Sequence, residues 1–306
     1  MSSPASRRVA PRPRVAAVVS AVRPGQWVKN LLIVVPALTS HRLFETATQA
    51  RTLLAFIAFS LCASAGYVVN DLADREYDRL HATKRHRPFA SGELSLGAGV
   101  ALGIALLGGC IAIAVMLPVA FRVQLAVYAV STVLYSVLLK RMVLLDVLML
   151  AALYTLRIIA GTGAINVVLS PWLLAFSSFF FFSLALVKRT SELESLGADA
   201  PGSIAGRGYV VDDVSVLAGF GYASACTSVL VLALYVNAPE VQVLYQRPVF
   251  LWGLSPLFLY FLGRLWIASR RGKVAGDPLL YAARDPASYM VALVAMLILW
   301  LALQAR

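Results

Sequence analysis

The sequence predicts an all-α integral membrane protein, a bundle of nine transmembrane helices whose active site faces the cytoplasm. Three observations carry this. Hydrophobic residues make up 60% of the 306 and the mean hydropathy is +0.78, far above the apolar share of soluble domains. Apolar runs long enough to cross a bilayer, which takes about 20 helical residues, recur along the whole chain. Polar residues gather in alternate connections, after the second, sixth and eighth runs.

In order, the runs lie near residues 24–41, 51–71, 96–118, 121–139, 142–163, 168–187, 214–236, 248–268 and 287–304. The first is the least regular, with Trp27, Lys29 and Asn30 at its start and Pro36 inside it. The second ends in Asn70 and Asp71, the fifth carries Arg157, and the sixth holds the aromatic run 179–182, which would face lipid or neighbouring helices. Residues 1–20 are basic and Pro-rich and lack the apolar core and cleavage site of a signal peptide. They are expected to form a disordered cytoplasmic tail ahead of a single transmembrane domain, 21–306. Cys62, Cys110 and Cys226 fall within apolar runs without metal-ligand spacing and read as small packing residues.

Basic residues concentrate on the cytoplasmic side of membrane proteins. With the N-terminus inside, only Arg42, Arg51, Arg122, Arg247 and Arg306 fall outside and Lys29 and Arg157 fall within runs; the rest of the 27 Lys and Arg collect on the cytoplasmic face. An odd number of spans then places the C-terminus outside a bacterial-type plasma membrane. The net charge of +12 follows from this topology. Spread over several loops, it speaks against a nucleic-acid-binding module.

Asn70, Asp71, Asp74 and Asp78 form the pattern N-D-x-x-D-x-x-x-D where the second run ends. On a helix the three aspartates fall at about 0°, 300° and 340°, with Glu76 at about 140°. Three carboxylates thus share one stripe at the membrane edge. Like charges so close need a cation, and hard oxygen ligands at this spacing suit Mg²⁺ holding a diphosphate. A simple helix cap would need only one or two polar residues, and Lys or Arg would serve better at the headgroups.

Cationic groups follow. Lys84, Arg85 and Arg87 precede Pro88; alone they would be a stop-transfer cluster, beside a metal they would clamp diphosphate oxygens. His81 and His86 among them are expected in solvent. Tyr135 and Lys140 precede Asp146, and Arg157 lies about 16 Å further along the same helical face, too far to pair with it. Arg157 is then either a site residue or a buried arginine bonded to helix-end carbonyls or to an acidic side chain. Lys188, Arg189 and Glu192 close the sixth run, where Lys188 and Glu192 also have the spacing of an ordinary surface pair. Arg264, Arg270, Asp277 and Asp285 read as a structural loop.

Together these residues resemble the UbiA superfamily of intramembrane prenyltransferases, and within it the decaprenyl-phosphate phosphoribosyltransferases. The likeness rests on the acidic motif at Asn70–Asp78, R-P-x-Q-W-V-K-N at Arg23–Asn30, T-K-R-x-R-P at Thr83–Pro88, R-x-I-A-G at Arg157–Gly161 and K-R-x-x-E-L at Lys188–Leu193. Ordinary prenyltransferases carry a second acidic motif, D-x-x-x-D, for another Mg²⁺. This chain has Lys188-Arg189-Thr190-Ser191-Glu192 there, and its loop from Arg207 to Asp213 matches only loosely.

The resemblance implies a nine-helix bundle in which Asp71 and Asp74, with Asn70 and Asp78, hold Mg²⁺ on the diphosphate of 5-phosphoribosyl 1-diphosphate (PRPP). Lys84, Arg85 and Arg87 would grip phosphate oxygens. A polyprenyl (decaprenyl) phosphate would be the acceptor, its phosphate on Lys188 and Arg189 with Lys29, Lys140 or Arg157, and Tyr135 and Glu192 would complete the substrate-binding set. Such an acceptor is already anionic and needs no strong general base. The competing reading is prenyl transfer from a polyprenyl diphosphate to an aromatic or other small acceptor. A transporter would show inverted repeats or Gly/Pro-broken spans with midplane polar residues, and neither repeat nor midplane polar cluster is evident except Arg157. The oligomeric state is open, homo-oligomer included.

Overall fold

The computed structural model describes residues 13–80, 84–195, 207–274 and 276–304, the side chains of Glu240 and Gln242 excepted. In chain order come α1 (Arg14–Val22), a 3-10 stretch (Pro24–Val34) that runs into α2 (Val35–Thr39), α3 (Thr46–Ala73), α4 (Arg75–Leu80), α5 (Pro88–Ser91), α6 (Leu96–Ala114) and α7 (Val119–Val137). Then follow α8 (Leu145–Ile165), α9 (Pro171–Glu194), α10 (Val214–Val236), α11 (Pro239–Leu244), α12 (Leu254–Arg270), α13 (Pro278–Ala282) and α14 (Pro286–Leu303). No strand occurs among the described residues.

Among the described residues eight helices are long and apolar enough to cross a membrane: α3, α6, α7, α8, α9, α14, and α10 and α12 each with the turn before it. The ninth expected crossing, 24–41, differs. Arg23 at its start is bonded to Asp71 at the end of α3, and Arg42 beyond its end reaches the Ile165 carbonyl at the end of α8 (3.4 Å). The segment therefore runs from one end of the bundle to the other, as a 3-10 helix and one short α-helix instead of a regular span.

Register explains this conformation. Three residues of 3-10 helix rise about 6 Å, as do four residues of α-helix. Every third residue of the segment can thus meet every fourth residue of α3, which runs the other way. Trp27 Nε1 donates to Ser64 Oγ and Asn30 Nδ2 to Ser60 Oγ, each at 3.0 Å. One turn on, the Ile33 backbone presses against α8, where a Cβ on Gly161 would stand 2.3 Å from the Ile33 carbonyl oxygen and 3.0 Å from the Pro36 ring. Glycine is required there by close approach.

Consecutive spans alternate in direction, so the connections carrying the charged motifs share one end. Helix starts at that end are capped: Ser95 Oγ accepts from the Ala98 N–H (3.2 Å) before α6, and Asp285 from the Ser288 N–H (3.0 Å) before α14. Arg264 of α12 forks onto the same Asp285 carboxylate and holds it below the ordinary range. The contact therefore contributes stability at neutral pH and is lost as pH falls through the depressed folded-state value.

Part of the expected disordered tail is ordered. Residues 1–12 lie outside the described residues, but α1 forms over Arg14–Val22 because Ala17 and Ala21, four residues apart, let it dock closely and are fully buried. The aromatic run divides between the two expected surroundings: Phe180 and Phe181 are buried, Phe181 stacking on Tyr154 at 5.3 Å, while Phe179 is exposed. Cys62 and Cys110 are buried packing residues, whereas Cys226 is exposed.

Gly161→Ala is expected to destabilise the protein by about 1–3 kcal/mol, the usual cost of overpacking, because the obstructing atom is backbone. Gly219→Ala in α10, where a Cβ meets nothing within 4 Å, is the control. Thermal unfolding in detergent should show a lowered midpoint for the first only.

Candidate active site

The acidic motif sits at the end of α3, and the helix breaks at Asp74. The hydrogen-bond spacing nevertheless continues, with the Asp74 N–H donating to the Asn70 carbonyl (2.9 Å) and the Asp78 N–H to the Asp74 carbonyl (2.8 Å). The stripe therefore survives the break. Asp71 and Asp78 are buried and share one guanidinium: Arg87 NH1 lies 3.1 Å from Asp71 and 2.8 Å from Asp78. Arg23 adds a second cation to Asp71 at 2.6 Å, with its guanidinium 5.1 Å from the Tyr67 ring centroid. The Asp74 carboxylate turns instead to the Asn70 amide (3.1 Å). Glu76 is exposed, as its helical angle requires.

Arg23 was not among the expected site residues. It reaches Asp71 because it ends α1 in the left-handed conformation (φ 55°), which costs a non-glycine residue about 1–2 kcal/mol. The ion pair holds it there. Arg87 turns inward because Pro88 keeps it extended (φ −68°, ψ 145°). Lys84 and Arg85 are exposed and do not converge on the carboxylates; Arg85 contacts only the ring of His86, also exposed (3.4 Å). Thr83 and His81 lie outside the described residues.

A second cluster forms around Asp277, a residue expected in a structural loop. Its buried carboxylate takes Lys29 Nζ at 2.6 Å and the Tyr154 hydroxyl at 2.7 Å, and it caps α13 by accepting from the Leu279 N–H (3.1 Å). Burial raises the Asp277 carboxyl, but the Lys29 and Lys188 cations outweigh it and hold the group below the ordinary carboxylate range. Lys188, on α9, is half-buried and makes no hydrogen bond or ion pair among the described residues. An ammonium so placed is open to an incoming anion.

The third cluster encloses Arg189. Fully buried, it pairs with Asp146 (2.6 Å) and Glu192, and its guanidinium carbon lies 5.4 Å from the Tyr209 ring centroid. Arg207 completes the group, 3.0 Å from Asp146 and 3.3 Å from the Tyr135 hydroxyl, which itself donates to Asp146 at 2.9 Å. Arg189, Glu192 and Tyr135 are thus engaged with one another's partners inside the protein. Lys140 is half-buried beyond α7, outside all three clusters.

Arg157 has no carboxylate partner. Nε donates to Asn30 Oδ1 (2.9 Å), NH1 to the Leu153 carbonyl (2.5 Å) and NH2 to the Tyr128 hydroxyl (2.9 Å). The rings of Tyr128, Tyr154 and Phe59 surround it at 4.9, 5.6 and 5.8 Å. The arginine is buried, but the carbonyl it meets lies one turn back within its own helix instead of at a helix end, and aromatic faces supply the rest.

The fold and these clusters define a polytopic helical membrane protein with its ionic chemistry at one end. The family model described as "UbiA prenyltransferase family" matches residues 32–281, and the chain belongs to that family. It is 39% identical over 275 residues to "Uncharacterized protein y4nM" of Sinorhizobium fredii, spanning 89% of this chain and about half, 53%, of that one. "Nodulation protein NoeC" of Azorhizobium caulinodans is 38% identical, with 88% of this chain and 87% of the relative covered. The "Decaprenyl-phosphate phosphoribosyltransferase" of Mycobacterium tuberculosis is 36% identical over 58% of this chain and 61% of its own. Among solved structures, a UbiA homolog from Archaeoglobus fulgidus bound to GPP and Mg²⁺ superposes with a TM-score of 0.67 at 17% identity, over 94% of this chain and 99% of that one.

Removing one side of a buried ion pair leaves an uncompensated charge and costs about 3–5 kcal/mol. Asp146→Asn should therefore strongly destabilise the protein. The double variant Asp146→Leu/Arg189→Met should recover most of the loss in a denaturation cycle.

Proposed function

We propose that this enzyme transfers the 5-phosphoribosyl group of PRPP to a polyprenyl phosphate, decaprenyl phosphate or a close analogue, with Mg²⁺, for glycolipid or cell-wall arabinan synthesis. The observation that carries the reading is Lys188. It makes no hydrogen bond or ion pair among the described residues and stands beside the Lys29–Asp277 pair, in the stretch where a second acidic motif would hold a prenyl diphosphate's metal. Two phosphate-bearing substrates thus have two chemically different seats. Similarity to the mycobacterial phosphoribosyltransferase supports the same donor and acceptor.

The donor set fits Mg²⁺. Among the described residues no group of three or more His, Cys, Asp or Glu is gathered as a finished metal site. Yet Asp71 and Asp78 meet the two guanidiniums of Arg23 and Arg87, while the Asp74 carboxylate meets the neutral Asn70 amide and no cation among the described residues, so negative charge is left over for a divalent ion. Asp71, Asp74 and Asp78, with Asn70, would hold it. When bound, Mg²⁺ neutralises the diphosphate and stabilises it as a leaving group.

Arg23 and Arg87, already at the carboxylates, would take diphosphate oxygens as charge develops there. Lys29 and Lys188 would orient the lipid phosphate. Its anionic oxygen forms the new bond to the anomeric carbon as the bond to diphosphate breaks, inverting the configuration. No proton need be removed, which suits a site without a buried histidine among the described residues. Arg189 would position α9 against Asp146 without touching phosphate. The distribution of basic residues supports a cytoplasmic site, with the N-terminus inside and the C-terminus outside.

Purified protein given Mg²⁺, labelled PRPP and decaprenyl phosphate should yield lipid-soluble label. Turnover of labelled prenyl diphosphate with 4-hydroxybenzoate, and none of PRPP, would overturn the reading in favour of prenyl transfer. Asp71→Asn should lower turnover by about a hundredfold or more, the scale of losing a charge-stabilising contact, and abolish Mg²⁺-dependent donor binding. Lys188→Ala should raise the KM for the lipid and spare donor binding; near-wild-type kinetics would show that the acceptor seat lies elsewhere.

A further inference from the structure

From Ser60 to Asp78 the chain carries a polar residue on one face at every turn. Ser60, Ser64, Tyr67, Asp71, Asp74 and Asp78 follow one another at spacings of four, three, four, three and four residues, which at 100° per residue keeps them in a stripe about 80° wide. The two ends of the stripe have their tasks. Ser60 and Ser64 anchor the 3-10 segment, and Ser64 Oγ donates to the Val22 carbonyl at the end of α1 (2.8 Å); the aspartates form the acidic cluster. Tyr67 lies between, half-buried, with the Arg23 guanidinium 5.1 Å from its ring centroid and Asp71 one turn, about 6 Å, further along the axis. Its hydroxyl makes no hydrogen bond among the described residues and stays accessible. The charges of Arg157, Arg23 and Asp277 all act on it, so it stands with the acidic cluster on one side and the Asp277 cluster on the other. Two neighbouring tyrosine hydroxyls are engaged, Tyr154 donating to Asp277 and Tyr128 accepting from Arg157.

We propose that the Tyr67 hydroxyl binds a ring hydroxyl of the donor's sugar between the two clusters, and so selects a hydroxylated donor over an isoprenoid one. The inference rests on the phosphoribosyl reading and deepens it by naming the residue that recognises the donor's carbon skeleton. With the donor diphosphate at Asp71 and the acceptor phosphate at Lys29 and Lys188, the reacting carbon lies between them, where Tyr67 stands. A phenol hydroxyl both gives and accepts a hydrogen bond. Covered by an isoprenoid chain it would be left unpaired at a cost in free energy, whereas a sugar hydroxyl satisfies it. A site built around such a bond discriminates strongly against a substrate that lacks the hydroxyl. The contact with Arg23 needs only the ring, so the two roles of Tyr67 separate on removal of one oxygen atom.

Tyr67→Phe removes that atom and keeps the ring. Calorimetry on the full chain in detergent with Mg²⁺ should show the Kd of PRPP raised about tenfold, or about 1.4 kcal/mol. The Kd of inorganic diphosphate, which carries no sugar, should stay as it is. In turnover, kcat/KM for PRPP should fall by at least as much and the KM for decaprenyl phosphate should not move. Analogues of PRPP with the 2- or the 3-hydroxyl replaced by hydrogen identify the bonded group. Wild-type protein should bind one of them about tenfold more weakly than PRPP, and Tyr67→Phe should lose nothing further on that analogue. Equal weakening of PRPP and diphosphate would make Tyr67 a support for Arg23 and overturn the proposal, as would unchanged binding of both. Wild-type protein that binds both analogues as tightly as PRPP would overturn it too, whatever the variant does. Turnover of prenyl diphosphate and none of PRPP by wild-type protein would fault the assigned reaction. PRPP turnover that Tyr67→Phe leaves intact would fault the sugar contact alone.

Discussion

A buried guanidinium with no counter-ion among the described residues organises this bundle. Arg157 is surrounded by α3, α7, α8 and the 3-10 segment, and each contributes to holding it: Phe59, Tyr128, Leu153 and Asn30 respectively. An unpaired charge in a low-dielectric interior is tolerated only when its donors are bonded and aromatic faces replace its solvation. Asn30 is central because it serves two masters, giving its amide to Ser60 and taking the arginine on its carbonyl. That second bond fixes the 3-10 segment against the bundle midway along its length, and so fixes both cations that the segment carries.

Those cations are Arg23 and Lys29, six residues and about 12 Å apart along a 3-10 helix. Arg23 belongs to the acidic cluster and Lys29 to the Asp277 cluster. One segment thus sets the separation of the two clusters, and the Gly161 contact sets how closely it can approach α8. A shift in this segment would move one side chain in each cluster together. Geometry of reacting groups is where such small displacements cost the most rate.

Most of the spans and the acidic stripe were legible in the sequence because both depend on local periodicity. Asp71, Asp74 and Asp78 sit one to two turns apart, and eight apolar runs announce themselves by length. The 3-10 segment was not legible as such, since its conformation is dictated by the spacing of serines on a different helix. Asp277 was likewise invisible, because its importance comes from Lys29 and Tyr154, far away along the chain. Lys188 and Arg189 looked equivalent as neighbours. A helix turns about 100° between them, which sends one to the Asp277 cluster and the other into Asp146, and only the packing of α8 against α9 decides which is which.

The contrast between those two neighbours bears on how the site avoids the fate of most buried charge. Arg189 and Arg207 face Asp146 and Glu192, a set balanced in charge, although Arg189 Nε and NH2 and one Asp146 oxygen are buried without a well-aligned hydrogen bond. Lys29 and Lys188 both act on the carboxylate of Asp277, with which Lys29 pairs directly and Lys188, among the described residues, does not, so this cluster is weighted towards positive charge. The acidic cluster shows the opposite imbalance, with three carboxylates against two guanidiniums. Structural ion pairs cancel; functional ones leave a remainder that a ligand completes. By that criterion the acidic cluster and the Asp277 cluster are the two candidates for ligand binding, and the charge-balanced group around Asp146 is a frame between the helices.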